Sequence, residues 1–100
     1  MKKVSAIICV YNEERTIRDV IVSVSESPIV NEIIVVDDGS TDNTKNIIEE
    51  LNKEIDITNI HLKRNKGKGY AMAIGVDKVA NEIIVFIDAD LSNLQKTHIA

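Results

Sequence analysis

The chain has 100 residues, 44 % of them hydrophobic, and a formal net charge of −4; this bounds it to one small domain with a modest core and leaves no broad basic face for a nucleic-acid backbone. Its single cysteine, Cys9, excludes a disulfide framework and any Cys/His zinc spacing. No apolar run is long enough to cross a bilayer and the start MKKVSAIICVYNEE has no signal-peptide cleavage pattern, so the expectation is a cytoplasmic protein, with peripheral docking at a membrane left open.

Val4 to Val10 is an apolar run with β-branched members and predicts a first strand. Asn12 then stands as an N-cap ahead of Glu13 and Glu14, whose charges suit a helix N-terminus. Ile17, Val20, Ile21 and Val24 form one apolar stripe on a helix that ends before Pro28. Glu32 to Asp37 repeats the strand signal, and Asp38-Gly39-Ser40 turns the chain. Thr41 and Asp42 cap a second helix with Thr44, Ile47, Ile48 and Leu51 on its inner face. Ile60 to Lys63 reads as a short third strand, Arg64 to Lys68 as a basic loop containing glycine, and Gly69 to Val79 as a third helix rich in small residues.

The last segment is EIIVFIDAD, Glu82 to Asp90. Its continuous apolar run, Ile83 to Ile87, predicts a strand buried on both faces, and it leads directly into Asp88 and Asp90. The order β-α-β-α-β-α-β with right-handed crossovers gives an α/β fold, a doubly wound, mostly parallel Rossmann-like sheet; strand order 3-2-1-4, with strands one and four as neighbours, is the expected arrangement. The expectation is a single domain over residues 1–100.

Polar groups that the sheet does not need then follow three strands: Tyr11-Asn12-Glu13, Asp37-Asp38, and Asp88 with Asp90. All fall at the carboxyl edge, and the connection reverses between strands one and four, where open α/β sheets bind ligands. The glycine-rich dinucleotide fingerprint is missing after strand one and there is no GxxxxGK[ST], which argues against nicotinamide or flavin cofactors and against a P-loop. Glu13 and Glu14 would repel a bare phosphate at the first helix, so phosphates need a cation. Asp88 and Asp90 offer hard oxygen ligands to Mg²⁺ or Mn²⁺, although a lone Asp-x-Asp after a strand is more often a turn. Arg64, Lys66 and Lys68 are the other cationic source. Lys68, between Gly67 and Gly69 at a helix entrance, is the better anion candidate, and Lys66 reads as a solvated turn residue. Asp37 suits a ribose hydroxyl or a base edge; Asp38 serves equally as an Asp-Gly turn. Tyr11 either stacks on a base or lids the core.

These residues resemble those of family 2 glycosyltransferases with the GT-A fold, a group that includes polyprenyl-phosphate sugar transferases. The matching segments are VSAIICVYNEERTI, EIIVVDDGSTDNT, NKGKGYAMAIG and FIDADLS, which cover most of the chain in the family's order. The resemblance implies a nucleotide-sugar donor, UDP- or GDP-linked, and a divalent metal, Mg²⁺ or Mn²⁺, at the Asp-x-Asp. It places Tyr11, Asn12, Glu13, Asp37 and Asp38 along the base and ribose and Lys68 close to the nucleotide. Asp88 and Asp90 would serve ribose and metal, with Asp90 the favoured ligand. The acceptor would be a polyprenyl phosphate or a saccharide. Cys9 replaces a usual proline, Leu94 another, and Ser92 a glutamine, which sets the chain apart from some polyprenyl-phosphate mannosyl- and glucosyltransferases.

Relatives of this kind continue for about another domain half with the acceptor site and a general base, so the chain reads as truncated before that half, and no acid follows Asp90. His98 is the base candidate there, and it reads as part of a polar tail. The expected function is sugar transfer from the nucleotide donor to an acceptor hydroxyl; the alternative is a non-catalytic donor-binding fragment or regulatory nucleotide-binding module. A phosphoacceptor receiver is disfavoured, because its acids follow strands one and three. An uncovered strand four further implies self-association.

Overall fold

A computed structural model describes residues 2–89. Asp90, Ser92, Leu94 and His98, singled out in the sequence, lie outside the described residues. The elements are β1 (Val4–Val10), α1 (Ile17–Ser25), β2 (Glu32–Asp37), α2 (Thr44–Leu51), β3 (Thr58–His61), α3 (Lys68–Lys78) and β4 (Ile83–Asp88). All pairings are parallel and the order is β3-β2-β1-β4, the doubly wound sheet that the apolar runs imply.

The central strands are apolar on both faces because helices cover both. On one side Ala6, Ile8 and Val10 of β1 and Ile33 and Val35 of β2 pack against Ile17, Val20, Ile21 and Val24 of α1 and Ile48 and Leu51 of α2. On the other, Ile7, Ile34 and Val36 meet Ala71, with Ile74 packed alongside. Each fully buried isoleucine contributes about 1.5–3 kcal/mol. α3 sits close to β1 because its contact residues are small: a Cβ on Gly75 would come within 2.6 Å of Ile7 Cγ2. This close approach is why α3 carries only a weak apolar stripe.

Three local expectations are corrected. β3 spans Thr58–His61 rather than Ile60–Lys63. It pairs residue by residue with Ile34 to Asp37, and the polar Thr58 and Asn59 are tolerated because β3 is an edge strand. The Leu62 amide still reaches Asp37 O at 2.9 Å and its side chain packs on the α3 side, so the apolar signal outlasts the ladder.

β4 is likewise an edge, hydrogen-bonded to β1 alone among the described strands. It is not buried on both faces: Ile83, Val85 and Phe86 are 40, 37 and 47 % exposed, since the described helices pack over the central strands.

Nor does Asn12 cap α1, whose first helical residue is Ile17 with Thr16 before it. Asn12 adopts a left-handed backbone, φ 52°, and reaches across to the β2–α2 loop. The N-cap of α2 is Asn43, which makes no side-chain cap bond; Asp42, one residue earlier, supports the helix start by accepting the Thr44 amide on Oδ1 at 2.9 Å. Thr41 serves the Asn12 contact instead.

Candidate active site

Side chains alternate along a strand, and this alternation decides which of the polar groups at the carboxyl edge meet. Cys9 and Asp88 are direct partners across β1 and β4, and Cys9 packs with the cluster on the α3 side. On that side, at the strand ends, a cavity of about 190 Å³ is lined by Cys9, Tyr11, Glu13, Asp38, Lys68 and Asp88, with Val10, Ala71 and Ala89. Five of the candidate residues, from four separate stretches of sequence, thus converge.

Asp38 is 4 % exposed, and its carboxylate accepts the amides of Lys66 at 2.7 Å and Gly67 at 3.0 Å. It is therefore more than a turn residue: it holds the basic loop and the start of α3 over the strand ends. Gly67 takes φ 99° to make that approach. Lys68 then projects over the cavity, with Nζ 3.5 Å from Asp88 Oδ2; both side chains are solvent-accessible, so the pair is weak and the ammonium is available to an anion. Tyr11 presents an exposed ring at the rim. Burial pushes the Cys9 thiol up from its ordinary range, only partly offset by the Lys68 ammonium and reinforced by Asp38 and Asp88.

The β1–α1 and β2–α2 loops interlock around Asn12. Its Oδ1 accepts the amides of Thr41 at 2.7 Å and Asp42 at 3.2 Å, and its own amide donates to Ser40 Oγ at 2.8 Å. Glu13 donates its amide to Thr44 Oγ1 at 3.1 Å. Asn43 donates its amide to Glu14 Oε1 at 2.9 Å. Burial opposes the ionised form of Asp42, yet hydrogen bonds from the Thr44 hydroxyl and amide and from Glu14 outweigh it and hold the carboxyl below the usual range. Thr16 closes the rim by donating to Ala89 O at 2.6 Å.

Asn12 and Asp37 do not line the cavity. Asp37 is in register with Val10, on the face covered by α1 and α2, and is 2 % exposed. Its Oδ1 accepts the Ser40 amide at 3.0 Å and its Oδ2 lies 3.1 Å from His61 Nδ1. Residues outside the sequence-based set are Cys9 in the cavity wall and His61 behind it. The second follows from the register of β3, which sets His61 opposite Asp37.

A cavity of about 310 Å³ also exists at the opposite edge of the sheet, lined by Lys3, Asn31, Glu32, Ile33, Asp56, Thr58, Ala80 and Asn81. Its Glu32 is engaged in holding strand starts together: Oε1 accepts from Ser5 Oγ at 2.6 Å and from the Ala80 amide at 3.0 Å. Ligands of open α/β sheets bind at the other edge, which makes the smaller cavity the candidate site.

Among the described residues no group of three His, Cys, Asp or Glu side chains stands ready to hold a metal. Asp88 does place a half-buried carboxylate in the cavity beside a cationic side chain. That donor set fits Mg²⁺ or Mn²⁺ shared with a substrate phosphate, since such ions are held by one or two carboxylates plus phosphate oxygens and water. It does not fit a metal enclosed by protein alone.

Comparison with known proteins agrees with this geometry. The family model described as glycosyl transferase family 2 matches residues 5–98. The chain is 38 % identical over 89 residues to the poly-beta-1,6-N-acetyl-D-glucosamine synthase of Staphylococcus epidermidis, covering 87 % of this chain and 21 % of that protein. It is 36 % identical over 99 residues to an undecaprenyl-phosphate 4-deoxy-4-formamido-L-arabinose transferase of Salmonella choleraesuis, covering 93 % and 30 %. Among solved structures it superposes on Staphylococcus aureus TarS 1-349 with a TM-score of 0.79 at 27 % identity, covering 94 % of this chain and 31 % of that one. The mannosyltransferase PcManGT of Pyrobaculum calidifontis, in complex with GDP-Man and Mn²⁺, gives 0.80 at 27 % identity, covering 89 % and 28 %. Glucosyl-3-phosphoglycerate synthase of Mycobacterium tuberculosis, with Mn²⁺, UDP and phosphoglyceric acid, gives 0.74 at 31 %, covering 89 % and 33 %. The chain spans 21 to 30 % of the length of the two curated relatives. With its parallel 3-2-1-4 sheet, its cavity at the strand ends and a family match across residues 5–98, the chain belongs to glycosyl transferase family 2 and has the GT-A architecture.

Proposed function

We propose that this chain forms the donor-binding half of a glycosyltransferase that takes a UDP- or GDP-linked sugar with Mg²⁺ or Mn²⁺ and serves transfer of the sugar to an acceptor hydroxyl. The observation that carries the reading is the convergence of Tyr11, Asp38, Lys68 and Asp88 on one cavity at the switch point of the sheet. At about 190 Å³ the cavity is smaller than the roughly 300–1,000 Å³ of pockets that enclose a whole ligand, so it accounts for part of the donor.

In this reading Tyr11 stacks on the base, Asp38 accepts from the base or ribose, and Lys68 exchanges Asp88 for a phosphate oxygen. Asn12, Glu13 and Asp37 shape the base and ribose side through the loops they hold. Asp88, with Asp90 beyond it in sequence, would hold the ion, which when bound neutralises charge on the leaving diphosphate. In the transfer the acceptor oxygen bonds to the anomeric carbon as the bond to the diphosphate breaks, and the hydroxyl proton passes to a base. Names among the relatives support a polyprenyl phosphate or a saccharide as acceptor. The single cysteine, which allows no disulfide framework, supports a cytoplasmic setting. No described helix is long and apolar enough to cross a membrane.

Calorimetry tests the reading: UDP or GDP should bind in a Mn²⁺-dependent manner, and Asp88→Ala should weaken it at least about tenfold, the loss of a charge-assisted contact. Absence of binding by either nucleotide, with or without Mn²⁺, overturns it. The exposed Ile83, Val85 and Phe86 of β4 also support self-association through that edge; light scattering at tens of micromolar should show species above monomer, and a clean monomer would contradict this.

A further inference from the structure

The His61 side chain is 19 % exposed and lies outside the cavity, yet it meets Asp37 at the end of β2, next to the cavity residue Asp38. Its Nδ1 is 3.1 Å from Asp37 Oδ2. A carboxylate offers only lone pairs, so Nδ1 carries the proton and donates. Nε2 is buried with no hydrogen-bond partner among the described residues. The nearest charged group, Glu49 Oε2 of α2, stands 3.8 Å away, beyond hydrogen-bond range. A leucine would fill this position without leaving a buried ring nitrogen unsatisfied. The chemistry of the position therefore lies in the Nδ1 donor.

That donor acts through a short chain of contacts. With Oδ2 held by His61, Asp37 turns Oδ1 to the Ser40 amide at 3.0 Å, which fixes the Asp38-Gly39-Ser40 turn. Ser40 Oγ in turn accepts the Asn12 amide at 2.8 Å, next to Tyr11. Asp38, between the two anchored residues, directs its carboxylate toward the cavity and the Lys66 and Gly67 amides. We propose that His61 is a positioning residue for nucleotide binding, acting from behind the sheet through Asp37 to set the orientation of Asp38. This inference rests on the donor-site reading above.

The test uses the full chain and compares His61→Leu, which removes the donor, with His61→Asn, whose amide nitrogen can take the place of Nδ1. UDP and GDP affinities are measured by calorimetry with Mn²⁺. Leucine should weaken the bound nucleotide about tenfold or more, as for loss of a hydrogen bond to a charged group, and asparagine should restore most of it. Long-range ¹⁵N–¹H spectra of the wild-type chain, which need no variant to fold, should show a proton on Nδ1 of His61. Wild-type binding with leucine equal to wild type, or asparagine as weak as leucine, overturns the inference and leaves the site reading intact. An Nε2-only proton also overturns it. No binding by the wild type overturns the site reading and the inference with it.

Discussion

The amide of Lys66 lies 2.7 Å from Asp38 Oδ1, so the end of β2 and the loop that begins α3 are one unit. Asp38→Ala leaves the Lys66 and Gly67 amides without their carboxylate acceptor in a partly buried setting, at a cost of about 1–3 kcal/mol. Urea unfolding should show that loss, and Lys68, freed from its anchor, should bind nucleotide more weakly. A variant of unchanged stability would mean that the loop is held by other contacts.

Much of this arrangement is legible in the residues, and the failures share one cause. The apolar runs of β1, β2 and β4 are continuous enough that those strands follow from them, and helix stripes such as Ile17, Val20, Ile21 and Val24 match the buried set. What local pattern cannot carry is the direction of contacts across the fold. Asn12 looks like a cap because two glutamates follow it, but its oxygen finds Thr41 and Asp42, about thirty positions later. Asp37 and Asp38 are adjacent and alike in sequence, yet the pleat sends one behind the sheet and the other into the cavity. His61 became visible only with the true register of β3.

Gly39 and Gly69 should respond in opposite ways to alanine. Gly39 has φ 76°, and a Cβ there would collide with the backbone of Arg64, so Gly39→Ala combines left-handed strain with displacement of the β3–α3 loop and should cost roughly 1–3 kcal/mol. Gly69 is inside α3 with nothing within 4 Å of a new Cβ, and Gly69→Ala should gain up to about 1 kcal/mol from helix propensity. Thermal melts of both variants check the contrast; equal effects would contradict the close packing at Gly39 and the open setting of Gly69.

Cys9 reports on the cavity directly. Because burial raises its thiol, less of it is thiolate at any given pH, and the thiolate is the reactive form. Alkylation by iodoacetamide should be slower than for a free thiol at pH 8 and should keep rising beyond about pH 9, where an ordinary cysteine with a pKa near 8.5 levels off. UDP or GDP with Mn²⁺ should slow it further. A rate indifferent to nucleotide would place Cys9 outside the bound ligand's footprint.

The most direct measurement is paramagnetic broadening of the backbone amide spectrum by Mn²⁺ in the presence of UDP or GDP. The account predicts loss of signal at Cys9, Tyr11, Asp38, Lys68 and Asp88, which surround one cavity, while Lys3, Asn31 and Asp56 around the cavity at the other edge stay sharp. Broadening centred on those three residues, with the first five unaffected, would contradict it.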